Sequence, residues 1–319
     1  TALNNSDHGF NFKDCTDFTL EKTNSSLNGA SGYYFSDCEN VTLTDAVAIK
    51  NSEGISFLFN VGHINITNCD ISYNEDSGIS IDTGGDYVIT DTKASNNKNG
   101  IRIGYMISAT EVVLENNTCN NNTESGFYLV DAIDGIVENN YAYENEITGF
   151  RVVGAGKFIN NTAAENKYGF YITGSDNLNF SKNTASHNKV DGFFFKDSSN
   201  CIVTENNLLF NGIGIELDST AGSNLFYLNK IGYNTLSNAI SDAPNNWDNG
   251  TIGNYWSDYT GKDLNNDSIG DTPYDIPGTE WNKDYNPSIL PFFEPNESNE
   301  PNDKENTNDP HHHHIDPPC

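Results

Sequence analysis

The chain has no run approaching the ~18 consecutive apolar residues that a membrane-spanning helix requires, so no span is expected in this segment. It is poor in positive charge. Among 319 residues, 16 Lys and Arg stand against 45 Asp and Glu, for a formal net charge of -29, and Arg102 and Arg151 are the only arginines. Such a surface repels nucleic acid, which is excluded as a partner, and suits high-salt solubility or divalent-cation binding. The six cysteines, at 15, 38, 69, 119, 201 and 319, include no Cys-x-x-Cys pair, which speaks against zinc-ribbon and thioredoxin-like sites. Methionine is limited to Met106 and the chain opens on Thr1, as expected of a mature or excised segment without a signal peptide.

What is present in quantity is a recurring glycine. Gly9, Gly32, Gly54, Gly78, Gly100, Gly126, Gly149, Gly169, Gly192 and Gly214 each open an alternating apolar and polar run, at intervals of 20 to 26 residues. A repeat this short means stacked supersecondary units rather than a single globular core. In the unit opened by Gly149, the run to Val153, the run 156–159 and the run that follows the Asn160-Asn161 doublet read as three short strands. Each strand alternates inward and outward residues and cannot bury its apolar side alone. The expected fold is all-β, a parallel β-helix of about ten rungs of ~23 residues, and ~50 Å long at ~4.8 Å per rung. Two asparagine series, one from Asn74 to Asn211 before the glycines and one of doublets such as Asn116-Asn117 and Asn139-Asn140, read as corner ladders. Asn tolerates the left-handed backbone of sharp corners, and its amide can bond to the rungs above and below.

The organisation expected is a repeat body over 1–240, a Trp- and Tyr-rich cap over 241–293, and a disordered acidic tail over 294–319 with Pro, Asn and a His tract. Cys15 and Cys38 fall at one repeat position on adjacent rungs. That spacing allows a disulfide or two stacked thiols, and buried thiols are the expectation because free Cys packs as a small hydrophobe. Sequons at Asn40, Asn65, Asn116, Asn160, Asn179 and Asn249 are candidate glycosylation sites. The first rung opens almost at Thr1 with no covering helix, and unpaired strand edges template further strands, so self-association is expected.

In the cap, Asp263, Asn265, Asp267, Ile269 and Asp271 place oxygen donors at alternate positions, with a backbone carbonyl from Ile269. This pattern suits Ca2+, a hard cation with six or more oxygen ligands. Ser268 stands where an EF-hand has its turn glycine and Tyr274 where it has its bidentate Glu, leaving Asp275 or Asp258 to close the shell. His311, His312, His313 and His314 form a tract that could hold another metal or be a tag remnant.

The run from Gly253 to Gly261 (Gly-Asn-Tyr-Trp-Ser-Asp-Tyr-Thr-Gly), the acidic loop, Asp271-Thr-Pro-Tyr-Asp-Ile-Pro-Gly278 and Asp284-Tyr-Asn-Pro together resemble the C-terminal signature of NosD-like β-helix surface proteins common in methanogenic archaea. The resemblance covers residues 1 to about 293. It implies a right-handed parallel β-helix exported to the cell surface, and transfers a scaffold rather than the copper-enzyme maturation role attached to the name.

Many β-helices act on polysaccharides through two or three convergent carboxylates with a basic residue or calcium. The candidates here are Asp82 with Asp86, Asp131 with Asp134, and Asp218, beside Arg102 and Arg151, and no motif of β-helix pectinases or alginate epimerases is found. Period two also sets Tyr34, Tyr128, Tyr171 and Phe194 on the outward strip with Arg102 and Arg151, where rings stack on sugars or pack on a neighbouring subunit. The function expected is a non-enzymatic, calcium-stabilised extracellular scaffold of a surface layer, sheath or self-assembling filament, with copies of itself or neighbouring cell-surface proteins as partners. The alternative is a carbohydrate-binding or polysaccharide-cleaving β-helix.

Overall fold

A computed structural model of the protein describes residues 1–82, 85–104, 112–130, 135–154 and 156–292. Asp131, Asp134, the tract 311–314 and Cys319 lie outside the described residues. The described chain is all β and coils into a right-handed parallel β-helix. Its three long parallel sheets have 11, 10 and 6 strands, and in each the strands follow one another in rung order. The unit opened by Gly149 shows the pattern, with strands Thr148–Val153, Gly156–Ile159 and Thr162–Ala164. In the early rungs the third sheet narrows to single bridges, from Asn24↔Val47 through Thr118↔Tyr141.

Inward residues form ladders of like on like. Phe127, Phe150 and Phe170 stack at centroid distances of 4.6 and 4.7 Å, and Phe35 and Phe57 at 4.9 Å. These distances match the inter-strand spacing, so each ring buries both faces against the rungs beside it. The repeat glycine is required by close approach. A Cβ on Gly78 would sit 2.8 Å from the carbonyl oxygen of Gly100, and one on Gly126 2.8 Å from that of Gly149.

The asparagine ladders are present, with a different division of labour from the one expected. Asn145 Oδ1 accepts from the backbone N of Asn122 at 3.0 Å and from its Nδ2 at 2.9 Å, while Asn145 Nδ2 donates to the Cys119 carbonyl at 3.0 Å. The left-handed residue is the one before each ladder asparagine. It is Asn96 before Asn97, but Tyr73 before Asn74, Glu144 before Asn145 and Phe210 before Asn211. The corner therefore accepts many side chains, and the asparagine is selected by the buried amide ladder. In the first series the ladder member is Asn97, not Asn96.

Cys15 and Cys38 are joined in a disulfide across adjacent rungs, with Cα atoms 4.5 Å apart, which corrects the expectation of stacked thiols. Cys69, Cys119 and Cys201 are buried free thiols, and burial pushes the thiols of Cys69 and Cys201 up to about 11. At the C-terminal end, Trp247 and Trp256 are fully buried and extend the aromatic stack from Phe226. Asp284 ends the second asparagine ladder, its Oδ2 accepting from Asn254 N at 2.7 Å and Trp256 Nε1 at 2.9 Å.

Candidate functional site

The outward face of the 11-stranded sheet carries the strip that period two predicts. Strand register places Arg102 beside Tyr128, Tyr128 beside Arg151, Arg151 beside Tyr171, Tyr171 beside Phe194 and Phe194 beside Glu216. Tyr34 lies lower on the same row, its ring 4.4 Å from that of His8. The guanidinium of Arg151 rests over the Tyr128 ring at 4.9 Å, and the rings of Tyr171 and Phe194 are 4.9 Å apart. Tyr128, Tyr171 and Phe194 are half-buried and Arg151 is exposed.

A second row joins this face that period two does not predict. The residue before the repeat glycine stands three positions from the strip residue, an odd spacing that strict alternation would send to the opposite side. The alternation breaks at the glycine. Tyr168 therefore packs on Tyr171 at 5.4 Å and on Phe194 at 6.2 Å, Glu53 hydrogen-bonds Ser56, and Asp191 hydrogen-bonds Glu216. Glu53 and Asp191 escape sequence reasoning for this reason.

Two acidic centres result. In the first, Arg102 Nη1 bonds Asp82 Oδ2 at 2.7 Å and Ser80 Oγ at 2.9 Å, and Asp82 Oδ1 is buried without a partner. Burial pushes the nearby Glu53 carboxyl up, while its bond with Ser56 and the charge of Arg102 pull the other way. In the second, Asp191 is 1% exposed and its Oδ1 has no partner. Burial, then the charge of Glu216 and their hydrogen bond, push the Asp191 carboxyl up to about 8. Beyond this centre the row before the glycines continues through Ile213 to Ser237. Ser237 opens onto a cleft of about 810 Å³ lined by Asn238, Asp258, Tyr259 and Tyr274.

The other expected site residues fall elsewhere. Asp86 turns to His63, 3.1 Å away, and does not converge with Asp82, because the two flank the turn from one sheet to the next. Asp218 bonds the backbone N of Thr220. Asn40, Asn65, Asn116, Asn160 and Asn249 are exposed, whereas Asn179 is half-buried.

In the acidic loop, Asp263 accepts from Ser268 N at 2.9 Å, Asp267 from Ile269 N at 2.9 Å and Asp271 from Leu264 N at 2.6 Å. Asn265 Oδ1 accepts from Asp267 N at 3.2 Å. Asn266 and Ser268 take left-handed φ values of 59° and 72°, so Ser268 makes the turn that glycine makes in EF-hands. Among the described residues, no group of three or more His, Cys, Asp or Glu side chains stands positioned to hold a metal ion. Copper favours imidazole and sulfur donors, but His8, His63 and His187 sit apart and the free thiols are buried, so the described residues do not fit a copper centre.

A protein-family model described as "Periplasmic copper-binding protein (NosD)" matches residues 1–110 and 77–261. No curated protein matches the chain. Among solved structures, the chain is similar to the A-module of the mannuronan C-5 epimerase AlgE6 of Azotobacter vinelandii, at 16% identity and a TM-score of 0.37, covering 72% of this chain and 63% of that one. It is similar to the periplasmic alginate epimerase AlgG at 14% identity and 0.43, covering 72% and 50%. For the A-module of AlgE4 of Azotobacter vinelandii the values are 15%, 0.46, 75% and 78%. The chain spans less than two thirds of the length of the first two.

Proposed function

The chain belongs to the NosD family, and from that premise we propose that it is a non-cytoplasmic β-helix that binds an extended carbohydrate along the outward face of its 11-stranded sheet. One observation carries this reading: Arg102, Tyr128, Arg151, Tyr171, Phe194 and Glu216 stand in unbroken register on six successive rungs. Rungs repeat every ~4.8 Å, close to the length of one sugar in an extended glycan, so successive sugars meet successive side chains. Aromatic faces stack on pyranose rings, and carboxylates and guanidinium groups bond hydroxyls. Binding rather than cleavage is favoured. Asp191 and Glu216 are in hydrogen-bonding contact, whereas carboxyl pairs that cleave glycosides stand about 5–9.5 Å apart. The test is binding of soluble neutral and uronic-acid polysaccharides to the wild type and to a Tyr171→Ala, Phe194→Ala double variant. A drop of about tenfold or more is expected, since each stacked ring contributes about 0.5–1.5 kcal/mol. Equal binding by both proteins would sink the reading.

A second reading, the surface scaffold, is favoured by a different feature. His187, Phe210 and Tyr233 stack on one exposed corner, at 5.1 and 5.4 Å, away from the strip. Such a corner suits lateral contact with another copy or a neighbouring surface protein. In both readings we propose that the acidic loop takes calcium by turning its carboxylates from the backbone N–H groups they now accept from, a reading supported by donor spacing and the left-handed turn at Ser268.

A further inference from the structure

The most unusual polar group on the strip is Asp191. The residue is 1% exposed, and its buried Oδ1 has no partner. Leaving a buried acceptor unmade costs about 1–3 kcal/mol. Asp82, Asn179, Thr204 and Asn207 also carry a buried oxygen without a partner; Asp191 is set apart by its place beside the rings of Tyr168, Tyr171 and Phe194, where a donor arrives from outside. Tyr171 and Phe194 lie at 4.9 Å with 31° between their planes, and Tyr168 stands at 76° to Tyr171. Two rings thus offer a near-continuous floor and the third a wall.

We propose that Asp191 and Glu216, with the rings of Tyr168, Tyr171 and Phe194, form a subsite that holds one uncharged sugar of the bound glycan, a hydroxyl of which donates to Asp191 Oδ1. The inference rests on the carbohydrate-binding reading above and adds the class of sugar. A uronate carboxylate at this place would set a third acidic group against two that already share a hydrogen bond in a poorly solvated site, and like charges there repel strongly. Among the described residues no salt bridge reaches Asp191 or Glu216, and Lys167 Nζ is engaged over the Tyr168 ring at 5.3 Å. Arg151, two rungs from Asp191, leans over Tyr128, away from the pair. Sugar hydroxyls, by contrast, both donate and accept, and match a pair of carboxyl groups holding a proton between them.

The test is calorimetric titration of the full chain with cellohexaose, mannohexaose and hexagalacturonate, for the wild type, Asp191→Leu, Glu216→Leu and Arg151→Ala, well below each melting midpoint. At least one neutral hexasaccharide is expected to bind about tenfold more weakly to Asp191→Leu and Glu216→Leu, one hydrogen bond to a charged or shared-proton group being worth about 1.5 kcal/mol. Hexagalacturonate affinity should not fall in these two variants and should fall in Arg151→Ala. A purely packing role for Asp191 would lower its melting midpoint and leave affinity unchanged. Unchanged neutral-sugar affinity in both carboxyl variants would overturn the subsite while leaving carbohydrate binding intact. If no hexasaccharide binds the wild type, the carbohydrate reading falls and the subsite with it.

Discussion

The guanidinium of Arg151 lies 4.9 Å from the centroid of the Tyr128 ring, one rung away on the same sheet face. No described carboxylate forms a salt bridge with Arg151, whereas Arg102 is tied to Asp82 at 2.7 Å. An exposed cation over a ring contributes about 0.5–1 kcal/mol. Tyr128→Ala should therefore weaken binding of an acidic glycan two- to fivefold by freeing the arginine, and leave the urea midpoint nearly unmoved. A large loss of stability would show that the ring is a packing element instead.

Asp191 makes stability depend on pH with a definite sign. Its folded-state carboxyl is pushed from 3.8 to about 8 by burial first and by Glu216 second. The native state thus holds a proton that the unfolded chain releases, so the favourable contribution is full below about pH 4 and is lost as pH rises toward 8. Asp284, pushed up to about 6 chiefly by burial, acts in the same direction over a lower window. Urea unfolding from pH 5 to 9 should show falling stability, and Asp191→Asn should flatten the part above pH 6. A wild-type curve flat over that range would contradict the burial of this group.

Asn145 joins three rungs, accepting twice from Asn122 and donating to the Cys119 carbonyl on one side and to Asn166 Oδ1 on the other. Asn145→Ala leaves two buried donors and an acceptor unpaired and should cost about 3 kcal/mol or more. Asn121→Ala, at the left-handed corner position, should cost about 1–2 kcal/mol, since its side chain is exposed. Chemical denaturation of the two variants side by side separates the ladder from the corner.

The disulfide Cys15–Cys38 closes a 23-residue span across the first rungs. Reduction should destabilise these rungs by about 3 kcal/mol, with hydrogen exchange rising there first, because each rung contacts only its neighbours. Equal acceleration at the Phe193 rung would show that the solenoid opens as a single unit.

Calcium should raise the melting midpoint of the cap and chelator should lower it, by mass action on the folded loop. Asp263→Asn with Asp267→Asn should abolish the difference. A midpoint indifferent to calcium and to chelator would reduce the loop to one held by its own Asx hydrogen bonds.

The rung, its inward ladders and its corners were legible in the glycine period because a solenoid repeats one local solution, and each repeat restates it in the residues. The aromatic and arginine strip was legible too, through simple alternation. The capping role of the two tryptophans followed from the need to cover a terminal rung, but their anchor did not. Asp284 lies 28 residues from Trp256 and reaches it only through the returning cap.

By itself, then, the sequence determined which residues face inward and how the units stack, since spacing along a strand dictates its sides and a repeat dictates its neighbours. Tertiary structure alone decided what the acidic residues do. Alternation breaks at the repeat glycine, and the position before it joins the strip. Contacts across rungs then pair Asp191 with Glu216 and set Glu53 near Arg102, and no linear pattern records a meeting between side chains held by different turns of the coil.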